Sequence, residues 1–124
     1  MKIDKEQYIE EYIRLSGFLA KKPSDYTEKT TKKHNKAMKQ LLLLEKELSG
    51  NLQLATEVYS ILLNNEDLYI KQSAATECLD LRICVDQSIE VLEYIRQNGE
   101  RMASMGADRI LRIWRGELDP SKPF

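Results

Sequence analysis

The chain has 124 residues, one domain's worth, and at that size a single core forms without disulfides or metal. Its composition is 42% hydrophobic and 31% charged, with 19 basic and 20 acidic side chains that nearly cancel. That balance argues against disorder and against a domain-wide attraction to DNA or anionic membrane, and five glycines with three prolines are too few for a hairpin-rich all-β chain.

Apolar residues recur at helical spacing almost throughout. The first predicted helix covers about residues 5–20, where Tyr8, Ile9, Tyr12, Ile13, Leu15 and Leu19 form one stripe. Pro23 breaks it, and Ser24 or Asp25 is placed to cap a second helix from about Tyr26 to Leu48. That helix is polar in its first half, while Leu41, Leu42, Leu43 and Leu44 crowd the second, an arrangement expected to pack on two sides. Gly50 and Asn51 read as a stop and a new cap. The third helix carries Leu52, Leu54, Ala55, Val58, Tyr59, Ile61 and Leu62, and Asn64–Asn65 ends it. Glu66 and Asp67 then put acid at the start of the fourth, which presents Ile70, Ala74, Ala75, Cys78, Leu79 and Leu81. Asp86 opens a fifth helix with Ile89, Val91, Leu92, Tyr94 and Ile95. After Asn98–Gly99 the sixth carries Met102, Ala103, Gly106, Ala107, Ile110, Leu111 and Trp114. Residues 117–124 read as an irregular tail.

Helices three to six repeat. A shift of 33 carries Val58, Ile61 and Leu62 onto Val91, Tyr94 and Ile95, and a shift of 32 carries Ile70, Ala75, Cys78 and Leu79 onto Met102, Ala107, Ile110 and Leu111. A helical period in the thirties is the mark of an α-solenoid. The expected fold is therefore all-α: a six-helix α-α superhelix, a short solenoid within one domain of residues 1–116. An irregular leading helix pair (about 5–48) precedes two repeated pairs (51–116), whose small residues Ala74, Ala75, Gly106 and Ala107 permit close helix approach.

Catalytic chemistry has little to draw on. His34 is the single histidine and sits among lysines without an orienting carboxylate; no phosphate loop, nucleophile elbow or zinc-ligand spacing occurs. The reading is non-enzymatic, with no cofactor and no metal. Cys78 and Cys84 are expected to be buried free thiols that point apart. No signal-peptide core opens the chain and no apolar run approaches a membrane span, so a cytoplasmic protein without membrane contact is expected.

Two surfaces stand out. Residues 1–50 hold 11 basic and 8 acidic side chains (net +3), and Lys29, Lys32, Lys33 and Lys36 share a helix face with Lys39 nearby. No aromatic residue or arginine is interleaved there, so a solvated face is expected and nucleic acid is the disfavoured partner. Off the buried stripes of helices four and six lie Tyr69, Gln72, Arg101, Met105, Arg109 and Arg112, of residue types enriched in protein interfaces. These six are the candidate partner-binding residues.

The segment Ile70-Lys71-Gln72-Ser73-Ala74-Ala75, followed by Cys78-Leu79, resembles the V-R-x-x-A-A-x-x-L core of HEAT-type repeats, with Lys71 where arginine is usual. The stretch from Met105 to Gly116, closing on Leu111, Trp114 and Gly116, resembles the end of a small bacterial family of HEAT/armadillo-like domains of unknown function. The final glycine comes one residue earlier here. The resemblance implies a HEAT-like solenoid and no catalytic residues. Because some such domains resemble immunity proteins, it also implies a protein partner of the toxin class. The alternative is a nucleic-acid-binding helical-repeat protein that uses the lysine-rich second helix.

Overall fold

A computed structural model describes residues 4–21, 26–119 and 121, which form six α-helices and no strand. They are α1 (Lys5–Ala20), α2 (Glu28–Ser49), α3 (Leu52–Leu62), α4 (Leu68–Leu81), α5 (Val85–Asn98) and α6 (Arg101–Trp114). Local chemistry accounts for most of the boundaries. Asp4 and Gln7 form a reciprocal capping box at α1. Thr27 caps α2, accepting from the Thr30 N–H, in place of the expected Ser24 or Asp25; those two and Pro23 lie outside the described residues. Asn51 Oδ1 accepts from the Leu54 N–H at the start of α3, and Asp67 from the Tyr69 N–H at the start of α4. Beyond α6 the described tail residues, through Asp119 and at Ser121, hold no further helix.

The chain divides into two compact units, Met1–Ile61 and Leu62–Phe124. In the first, α1 packs on α2. The Tyr8 hydroxyl donates to Glu47 Oε2 at 3.0 Å, and the Tyr12 and Tyr59 rings meet edge to face with centroids 5.8 Å apart. On α2 the buried residues are Ala37, Leu41, Leu44 and Leu48, a single stripe at helical spacing. Leu42 and Leu43 are 57% and 60% exposed, so the leucine run does not pack on two sides as expected. Consecutive helical residues point far apart, and α1 covers one face.

In the second unit α5 packs against both α4 and α6, and α4 also touches α6. Short connections make packed neighbours antiparallel, so α4 and α6 run the same way. The α4–α5 connection turns on two left-handed non-glycine residues, Arg82 at φ 59° and Cys84 at φ 46°, and the Ile83 N–H donates back to the Cys78 carbonyl at 2.9 Å. This turn folds Cys84 back beside Cys78, so the two thiols do not point apart. Neither forms a disulfide; Cys78 is buried and Cys84 only half-buried. Burial pushes the Cys78 thiol up to about 12, against the opposing influence of the adjacent Ser88 hydroxyl.

The repeat is visible in burial, with exceptions. Leu62 and Ile95, Ala75 and Ala107, and Leu79 and Leu111 are buried alike. Val58 is buried where Val91 is half-buried, and Ile70 is buried where Met102 is 79% exposed. Tyr94, expected on the apolar stripe of α5, is also exposed. Met102 lies on the flank of α6 turned away from α5, where a core register meets solvent.

Candidate functional site

The six residues singled out from sequence all fall in the second unit, on α4 and α6. What joins the two helices there is a missing side chain. Gly106 is so close to Gln72 that a Cβ on it would stand 2.8 Å from Gln72 Nε2. The α4 flank carrying Gln72 therefore lies directly against α6. On the other side of α6, Ser104 Oγ donates to the Arg96 carbonyl of α5, and Arg115 reaches Glu93 Oε1 at 2.7 Å. With α4 on one flank and α5 on the other, the remaining ridge of α6 faces outward. It carries Arg101, Met105, Asp108 and Arg112 at helical spacing, with Met102 and Arg109 between this ridge and α4.

The exposures sort the six. Arg101, Met105 and Arg112 are exposed, as is Tyr69, while Gln72 and Arg109 are half-buried. Tyr69 and Asp80 are the exposed residues of α4, so α4 contributes less open surface than a full helix wall would. Arg112 is engaged by Asp108 through Nε at 2.8 Å, an exposed pair of the kind worth little to stability. The structure thus brings Gln72, Met105 and Arg109 into one neighbourhood around Gly106. Tyr69 lies about one turn nearer the start of α4, and Arg101 and Arg112 mark the two ends of the α6 ridge.

Sequence reasoning missed two contributors. Met102, expected in the core from its helical spacing, adds a second thioether to the exposed face. Arg82, at the left-handed end of α4, stacks over Trp114 at 5.5 Å from the ring centroid, so Trp114 is half-buried and its face is already occupied by a cation. Only the unusual backbone at Arg82 brings it there; no sequence pattern announces it.

Glu93 braces this unit. It accepts from Arg115 at 2.7 Å and from Arg96 at 2.7 Å, and those guanidiniums, Arg115 first, hold its carboxyl below the usual range. Elsewhere, His34 and the six lysines of α2 are exposed, with Lys32 paired to Glu28 at 3.3 Å. Among the described residues no group of three His, Cys, Asp or Glu side chains could hold a metal ion, and no helix is long and apolar enough to cross a membrane. Comparison of the chain with protein families, with characterised proteins and with solved structures gives no match.

Proposed function

We propose that this protein is a non-enzymatic binding module that docks a partner protein on the α4–α6 face. The observation that supports this reading is the close contact of Gln72 with Gly106, which joins Tyr69 and the outward ridge of α6 into one surface. On it, exposed Tyr69, Met102 and Met105 stand among Arg101, Arg109 and Arg112. Aromatic, methionine and arginine side chains are enriched in protein interfaces, and tyrosine and arginine are among those that carry most of the binding energy. The ridge's one carboxylate, Asp108, is paired with Arg112, so an acidic partner surface with apolar pockets is complementary. An immunity-type protein that covers a toxin domain is the specific form of this reading, in keeping with the HEAT-like pattern of α4.

The test is affinity capture from the native host with three forms of the protein. Wild type and the triple reversal of Lys32, Lys33 and Lys36 to Glu are expected to retain the same protein partner. Tyr69→Ala combined with Arg109→Ala is expected to lose it while the circular dichroism spectrum stays helical. Recovery of nucleic acid alone, lost on lysine reversal, would overturn the proposal in favour of a nucleic-acid binder.

A further inference from the structure

The first unit holds a cleft that the sequence does not announce. Arg14 and Phe18, one turn apart on α1, face Lys33, Lys36, Ala37 and Gln40 of α2 across a space of about 250 Å³. The lysine face alone lacked an arginine and an aromatic ring. Packing of α1 on α2 supplies both.

The chemistry of the lining is one-sided. Three of its six residues are cations and none is a carboxylate. Arg14 is paired with Glu11 through Nη2 at 2.7 Å, which leaves Lys33 and Lys36 as the cations of the lining that no carboxylate neutralises. Among the described residues Lys33 and Lys36 have no carboxylate partner, unlike neighbouring Lys32. Phe18 is 45% exposed, and among the described residues no cation or second aromatic ring covers its face. Ala37 is buried, so a small side chain rather than a bulky one lies between the lysines and Gln40. Gln40 adds an amide that can both donate and accept. Two uncompensated ammonium groups, an open ring face and one amide call for a ligand with an anion, a planar ring and a polar edge.

We propose that this cleft binds a nucleoside phosphate, with the phosphate on Lys33 and Lys36, the base on Phe18 and the base edge at Gln40. At about 250 Å³ the cleft is smaller than the roughly 300–1,000 Å³ of sites that enclose drug-sized ligands, so it holds one nucleotide in part, with the remainder in solvent. Base stacking on an aromatic ring beside a cationic track is the general mode of single-strand recognition, and it tolerates any base. The nucleotide can be free or a unit of an unpaired strand. This site is independent of the α4–α6 face and stands or falls separately.

The experiment is titration of the full chain with adenosine monophosphate, with inorganic phosphate and with a single-stranded thymidylate octamer, followed by amide chemical shifts at low salt. Adenosine monophosphate is expected to move the Phe18 and Ala37 amides and to bind more tightly than phosphate. Phe18→Ala should weaken it by roughly fivefold to a hundredfold, and Phe18→Tyr should retain it. Lys33→Gln with Lys36→Gln should abolish binding, whereas Lys29→Gln with Lys39→Gln should leave it close to wild type. Tighter binding of the octamer identifies a strand as the source, and equal or weaker binding a free nucleotide; either supports the site. No shift at Phe18 and Ala37, phosphate binding as tightly as the nucleotide, or equal loss in the two lysine pairs would overturn it.

Discussion

Single residues carry more of this fold than their chemistry suggests. Gly99 sits between α5 and α6 with φ −76°, a value any residue adopts, so its role is not backbone freedom. A Cβ there would stand 2.6 Å from the Ile95 carbonyl oxygen and 3.1 Å from Ile95 Cγ2. Because the first obstacle is backbone, Gly99→Ala is expected to destabilise the protein by about 1–3 kcal/mol, read as a lowered urea midpoint. Gly116 differs: at φ 77° it occupies the left-handed region, and the Glu117 N–H donates to the Arg112 carbonyl at 2.8 Å to finish α6. Both glycines follow helices in the sequence. Which needs space and which needs a positive φ is legible only in three dimensions.

At the scale of elements, the small residues of α4 and α6 set how closely the helices pack. Ala75 and Ala107 are fully buried at equivalent places in the repeat. Ala75→Leu and Ala107→Leu are each expected to cost about 1–3 kcal/mol by overpacking, measured as urea midpoints against the parent. Unchanged midpoints in both would show that the contacts are looser than the burial implies. The helices themselves were legible because amphipathic spacing and caps such as Asp67 act within a few residues. The α4–α5 connection was not. Arg82 and Cys84 adopt left-handed backbone without glycine, and a periodicity that runs on through them points Cys84 the wrong way. Leu42 and Leu43 show the converse limit: they are as hydrophobic as Leu41 and Leu44, yet only the latter two are buried, a choice made by packing rather than by residue type.

For the whole molecule, titration supplies a signature at both ends of the pH range. Glu93 is held below the ordinary carboxylate range by Arg115 and Arg96, so its contribution is present at neutral pH and lost as pH falls through that depressed value. Cys78, pushed up to about 12 by burial, contributes fully below the ordinary thiol range and loses that contribution as pH rises from about 9 towards 12. Tyr8, raised by burial and by its hydrogen bond to Glu47, adds to the alkaline loss. Thermal midpoints across pH are expected to fall at both ends. Glu93→Gln should flatten the acid limb and Cys78→Ala the alkaline limb. An alkaline limb unchanged by Cys78→Ala would mean that the thiol is not shielded as the structure has it.

By itself the sequence determined that this chain is helical, where its six helices lie to within a few residues, and which residues of α4 and α6 merit attention. Those properties rest on local periodicity and capping, which act over a turn or two. Only the tertiary structure decided that Gln72 meets Gly106, that Arg82 covers Trp114, and that Arg14 and Phe18 face Lys33 and Lys36. Each of those pairings joins side chains from different elements. Helical spacing states which face of a helix is apolar, but not which neighbour it will meet or at what height along its axis.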